Sequence, residues 1–134
     1  MSCAWNELLQ ILPQRIRPEV DRLGKQNMQE LRLRVGQAPW MVMANGQCPL
    51  SGKVTVDELS YVLHVASRYS PWSAATSAFG YITAKGGHRI GICGTAVVKD
   101  GAVCGIRDPV SLCIRVARDI AGVGAKAAAI KGNI

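Results

Sequence analysis

The chain has 134 residues, a formal charge of +7 from 16 Lys and Arg against 9 Asp and Glu, and 49% apolar residues. That length suits one domain with one core, and the apolar share excludes a disordered chain. No run of ~18 apolar residues could span a bilayer and no signal-peptide pattern is present, so membrane association is expected only through a partner or the basic surface.

Trp5, Leu8, Leu9 and Leu12 recur at helical spacing, with Ser2 able to cap the helix and Pro13 to stop it. Pro18 can start a second short helix with Val20 and Leu23 inward and Gly24 as its stop. In Glu30-Leu31-Arg32-Leu33-Arg34-Val35-Gly36, Leu31, Leu33 and Val35 alternate with Arg32 and Arg34. A period of two predicts a strand with an apolar face and a cationic face. Trp40–Ala44 reads as a second strand, turned at Asn45-Gly46 into a short return near Cys48 to Leu50. Thr55-Val56-Asp57-Glu58 is a capping box. It opens a helix whose buried stripe is Val56, Leu59, Val62, Leu63 and Ala66, with His64 beside it. Ser70-Pro71 opens a further short helix over Trp72 to Ser77.

The second half reads as an antiparallel meander. Tyr81–Thr83 is a strand, Gly86-Gly87 turns, and His88–Val98 is a long strand broken by Gly91 and Gly94 through a bulge or a close backbone approach. Asp100-Gly101 turns again, Ala102–Ile106 returns, and Leu112–Arg118 is the last strand. There Leu112, Ile114 and Val116 share one face, and Cys113, Arg115 and Ala117 the other. Gly122–Ile134 lacks amphipathic pattern and reads as a flexible tail or the start of a linker, leaving residues 1–121 as the domain. The predicted fold is a single small α+β domain, with a few helices packed on one side of a mostly antiparallel sheet.

The charge is uneven. Residues 1–84 hold eight basic and six acidic groups, and residues 85–134 hold eight and three, so the halves carry +2 and +5. A basic half points to an anionic partner, and the ten arginines favour forked contacts to phosphate or carboxylate. Only seven aromatics are available, so nucleic-acid binding is expected to be weak and non-specific. The five cysteines have no zinc or redox spacing and read as reduced structural thiols in a cytosolic protein.

The motif G-x-x-x-x-G-K-[ST] is absent. Gly122-Val123-Gly124-Ala125-Lys126 has the wrong spacing and no hydroxyl residue after the lysine. With His64 and His88 as the only histidines, no Ser/His/Asp set can be argued, and no carboxylates pair for acid–base chemistry. Gly91-Ile92-Cys93-Gly94 matches the G-x-x-G of KH domains, but that loop must join two helices and here it falls inside a strand. Gly86-Gly87-His88-Arg89 delivers His88 and Arg89 at the start of a strand.

Four blocks carry a resemblance: Glu30–Gly36; Gly80-Tyr81-Ile82-Thr83; Gly86–Gly94, which holds Gly86, Gly87, His88, Arg89, Gly91 and Gly94; and Ser111–Arg118. In order and spacing, over roughly residues 7–124, they resemble the N-terminal region of the stage III sporulation protein AA family. The resemblance implies a non-catalytic regulatory and assembly domain of a hexameric secretion-type ATPase serving the channel between mother cell and forespore. ATP and Mg would belong to a P-loop domain that family members carry after this region, so no ATPase activity is expected of these residues alone. The implied partners are the ATPase domain of the same or a neighbouring subunit and membrane-embedded channel proteins. The implied location is the mother-cell cytoplasm, free or peripheral at the membrane through partners. Basic hairpins of related secretion ATPases look similar to Gly87–Ile90 and Ile114–Val116, which implies that Arg89, Arg115 and, one strand-end further, Arg118 contact nucleotide. The competing role for Arg115 is an ion pair with Asp108 or Asp119. The alternative function is a stand-alone basic RNA- or DNA-binding module resting on Arg32, Arg34 and the G-x-x-G match. A third is an interaction domain with no nucleotide contact.

Overall fold

The computed structural model describes residues 5–69 and 80–117. Over them the elements run α1 (Trp5–Ile11), a 3-10 turn (Gln14–Ile16), α2 (Arg17–Gly24), β1 (Met28–Arg34), β2 (Trp40–Met43), β3 (Gly46–Pro49), α3 (Val56–Tyr69), β4 (Tyr81–Thr83), β5 (Arg89–Lys99) and β6 (Ala102–Arg115). The strands form one antiparallel sheet in the order β3-β2-β1-β6-β5-β4. The helices pack on one of its faces, so the α+β class and one-sided packing expected from the periodicities hold. Ser2, the helix expected over Trp72 to Ser77, Arg118 and the tail from Gly122 lie outside the described residues.

Period-two alternation builds the core. Met41, Leu31, Ile114, Ile90 and Ile82 are partners on successive strands and all are buried. Leu33, Leu112 and Ile92 form a second buried row beside them. Leu8 and Ile11 from α1, Leu12 just after it, and Leu59, Val62, Val65 and Ala66 from α3 close over these rows. Each fully buried aliphatic side chain contributes roughly 1.5–3 kcal/mol relative to exposure.

The N-terminal helices are clasped to the rest by polar contacts. The Trp5 indole N–H donates to Asp21 at 2.8 Å. The Arg15 guanidinium donates to both carboxylate oxygens of Glu58, at 2.9 and 3.0 Å, and to the Ser51 carbonyl at 2.7 Å. The capping box is present in both directions: the Glu58 amide donates to the Thr55 hydroxyl and the Thr55 amide to the Glu58 carboxylate, each at 3.1 Å. Glu58 therefore serves as helix cap and as the anchor for Arg15.

Several local expectations change. Val56 and Leu23, expected inside, are exposed, while Val65 joins the core. Val56 is the first residue of its helix and precedes the turn that meets the sheet. Gly24 ends α2 but the next residue keeps helical dihedrals. Its function is space, since a Cβ there would lie 3.0 Å from the Met28 side chain and 3.1 Å from the Met41 sulfur. Met43 pairs with Gly46, so the tight turn is Ala44-Asn45 and Gly46 begins the return strand.

The strands expected at Ala102–Ile106 and Leu112–Arg118 are one continuous β6. Asp108, at φ 52°, absorbs the irregularity without ending the strand. Opposite it, the β5–β6 register shifts between Cys93 and Thr95: Gly94 alone faces Asp108 to Val110, so the bulge lies on β6 and Gly94 is its point of close approach. A Cβ on Gly94 would sit 2.8 Å from the Arg107 carbonyl oxygen and 2.9 Å from Pro109 Cα. Gly91, by contrast, breaks nothing: it pairs regularly with Tyr81 and Cys113, and its Cβ would meet nothing closer than 3.8 Å. The Asp100-Gly101 turn has φ of 53° and 80°, the paired positive values that a two-residue hairpin of matching twist requires.

Gly94→Ala is expected to lower stability by about 1–3 kcal/mol, because backbone rather than a movable side chain blocks the new methyl. Gly91→Ala is expected to change it by well under 1 kcal/mol, and paired urea denaturation curves of the two variants measure the contrast. A second outcome concerns acid. Hydrogen bonds from Arg15, opposed by burial and aided by the Thr55 amide, hold the Glu58 carboxyl below the usual carboxylate range. A depressed folded pKa gives stability that is complete above the unfolded value and lost as pH falls through the folded one. The urea midpoint should drop on acidification below about pH 4.3, and Glu58→Gln should flatten that drop.

Candidate functional site: the outer face of the sheet

Residues that alternate with the core rows point to the other face, and no described helix lies over it. Three ladder rows cross this face. The first runs Gln47, Val42, Glu30, Arg115, Arg89, Thr83 across all six strands. The second runs Pro49, Trp40, Arg32, Cys113, Gly91, Tyr81. The third, in the sheet's centre, is Arg34, Ser111, Cys93. The face therefore carries Arg32, Arg34, Arg89 and Arg115 around a floor of small side chains.

Glu30 is the one carboxylate in these rows, and it organises the cations. It accepts a 2.6 Å hydrogen bond from Arg32 Nε, and Arg115 Nε lies 3.8 Å from its other oxygen. Burial alone would raise the Glu30 carboxyl pKa. Hydrogen bonds from Arg32 and Cys113 and the charges of Arg32 and Arg115 outweigh it and hold the group ionised to lower pH. Arg115 thus leans on Glu30, not on Asp108, which instead lies 3.8 Å from its neighbour Arg107. Asp119 lies outside the described residues. The Arg115 side chain is 71% exposed, so this loose pair leaves its guanidinium open to a further anion.

Arg89 stands directly opposite Arg115 on the neighbouring strand. Like charges facing each other across a ladder repel. The Arg89 guanidinium is held over the Tyr81 ring, 4.9 Å from its centroid, where the ring's negative face offsets part of that repulsion. The glycine-rich hairpin supports this geometry. Gly86 and Gly87 both adopt positive φ, and the Gly87 amide donates to the Ala84 carbonyl at 3.0 Å.

His88 does not join the open face. Alternation turns it inward next to outward Arg89, and it is fully buried. Its Nδ1 accepts the Ala117 amide at 3.0 Å, which requires that nitrogen to be unprotonated. His88 thereby ties the end of the strand carrying Arg115 to the hairpin carrying Arg89. His64 is exposed on α3, away from this face. The G-x-x-G segment lies within β5 and joins no helices, so the KH-type reading of Gly91 and Gly94 is overturned.

Sequence patterning identified the arginines but missed Glu30, Trp40, Tyr81 and Cys113 as their neighbours. Only strand register brings those four into the same rows. Among the described residues no three His, Cys, Asp or Glu side chains cluster as metal ligands, and no helix is long and apolar enough to cross a membrane.

The sequence profile described as "Sporulation stage III, protein AA" matches residues 4–131. The chain belongs to the stage III sporulation protein AA family. It is 29% identical over 122 residues to the protein named "Stage III sporulation protein AA" of Bacillus subtilis (strain 168), an alignment covering 88% of this chain. The chain spans 40% of that relative's length. No solved structure matches it. For this member of the family, the arginine pair, the glycine-rich hairpin and the strand carrying Arg115 all fall within the matched region.

Cys113 provides a probe of the face. Burial, then its hydrogen bond and proximity to the Glu30 carboxylate, push its thiol pKa up to about 11. It should therefore resist iodoacetamide near neutral pH while exposed Cys93 reacts. Glu30→Gln should speed Cys113 alkylation. Peptide mass mapping reads both rates, and equal reaction of Cys93 and Cys113 in the unsubstituted chain would contradict the geometry.

Proposed function

We propose that this chain is the assembly domain of a hexameric, secretion-type sporulation ATPase, with Arg89 and Arg115 reaching a nucleotide bound by the ATPase domain of the same or a neighbouring subunit. The observation that carries the reading is the register: two exposed arginines face each other on adjacent strands. Two guanidiniums held side by side suit a polyphosphate, whose negative charge relieves their mutual repulsion. Arg118, three residues beyond Arg115, extends the same reading. ATP and Mg would be held by the ATPase domain of the longer protein, and this chain's own contribution would be cationic charge offered to the transferring phosphoryl.

An arginine supplied from a neighbouring subunit makes hydrolysis depend on ring assembly, as a motor needs. In this reading the domain works on the mother-cell side, in the cytoplasm, and meets membrane-embedded channel proteins as partners. The basic surface supports such docking at a membrane-associated complex.

The test uses a full-length family protein carrying Arg89→Ala and Arg115→Ala separately, with the 134-residue chain as a reference. The chain alone is expected to release no phosphate from ATP. Each full-length variant is expected to assemble normally by size-exclusion chromatography and to lose about 10³-fold or more in hydrolysis rate, the scale known for arginine fingers. Variants that fold, assemble and keep the full rate would show that the arginines are structural.

A further inference from the structure

The second ladder row has a property that the ATPase reading does not use. It places two aromatics, Trp40 on β2 and Tyr81 on β4, in one line across the outer face. Between them lie Arg32, Cys113 and Gly91. Four strand-to-strand steps separate the aromatics, or about 19 Å at the usual spacing. Gly91 and Cys113 keep the floor low, so a flat ligand can lie across it.

Each end of the row offers a planar surface. Trp40 is 38% exposed although it is a large apolar side chain in a strand. It lines a cleft of about 240 Å³ with Arg32, Arg34, Gln37 and Gln47. At the other end, the exposed Arg89 guanidinium lies over the Tyr81 ring, 4.9 Å from its centroid. Bases stack on aromatic rings and on guanidinium planes alike.

The charges complete the pattern. Four arginines against one carboxylate leave these rows with a surplus of three positive charges. Glu30 takes up Arg32 and part of Arg115. Among the described residues no carboxylate lies within ion-pair distance of Arg34, which stands at the rim of the Trp40 cleft. An acidic protein surface would satisfy the cations but has no use for two planar side-chain ends on one row with a small-residue floor between them. A chain that alternates phosphates with planar bases uses both.

We propose that the outer face of the sheet binds a short single strand of nucleic acid, with one base stacked on Trp40, another on the Tyr81–Arg89 pair, and phosphates at Arg34 and Arg32. The site reads no base edges, so it tolerates sequence. It shares Arg89 with the proposed ATPase-domain contact, so its test leaves Arg89 and Arg115 in place and probes Trp40 and Arg34, which that contact does not use.

The experiment is fluorescence anisotropy of the 134-residue chain with fluorescein-labelled 12-mers of deoxythymidine and of uridine, at several salt concentrations. Binding is expected to fall with salt at a log–log slope of about −1.4, the value for two phosphate contacts on a single strand. Trp40→Ala is expected to weaken binding by about five- to a hundredfold, with Trp40→Phe retaining most of the affinity. Arg34→Glu is expected to weaken binding and flatten the salt slope, while Arg22→Glu, the same charge change on α2, leaves the Arg34-dependent slope in place. Circular dichroism confirms that each variant is folded. Unchanged affinity in Trp40→Ala would overturn the proposal. So would equal binding of polyglutamate of similar length with the same Arg34 dependence, which would show a surface that reads negative charge alone.

Discussion

The structure depends on the register of three strands. β6 lies between β1 and β5 and pairs with both, and this places Leu31, Ile114 and Ile90 in one buried line. Side chains alternate with a period of two, so that line forces Glu30 or Arg32, Arg115 or Cys113, and Arg89 or Gly91 onto the opposite face. A slip of one residue would bury the arginines and expose the core. The hydrophobic requirement of one face therefore specifies the charge geometry of the other.

Two devices hold that register. One is local: the β6 bulge opposite Gly94, with the positive φ of Asp108, lets β5 and β6 stay paired despite unequal lengths on either side. The other is distant: the buried His88 imidazole accepts the Ala117 amide and joins the hairpin before β5 to the chain leaving β6. Both act where the sheet carries its arginines, so backbone geometry and side-chain placement are coupled there. The Arg15–Glu58–Thr55 clasp serves the opposite face, where it keeps the N-terminal helices against α3 and the core closed.

The open face is electrostatically unfinished within the described residues. Glu30 serves two arginines, Tyr81 supports a third through its ring, and Arg34 stands at a cleft beside Trp40. Exposed pairs of this kind contribute little to stability. Their energetic significance lies in what anionic group arrives. The chain belongs to the stage III sporulation protein AA family and spans 40% of the length of its Bacillus subtilis relative; under the function proposed above, the arriving group is a nucleotide.

The sequence by itself determined the elements and the sides they present. Alternation of Leu31 and Leu33 with Arg32 and Arg34 defined a two-faced strand, Thr55 and Glu58 defined a helix start, and Asp100-Gly101 defined a hairpin. These are readable because each rests on neighbours a few residues apart. The four motif blocks likewise sufficed for the family. What only the tertiary structure decided depends on groups far apart in the chain. The merging of two expected strands into β6 required Asp108 to be accommodated opposite Gly94. Gly24 and Gly94 proved to be positions of close approach, while Gly91 proved ordinary, and no local pattern separates them. His88 was drawn inward while Arg89 stayed out. Trp40 and Tyr81, forty-one positions apart by their numbering, came to share one row with Arg32. Register is a property of pairing between distant strands, set by which apolar faces must be buried together, and one strand's own residues do not encode its partners.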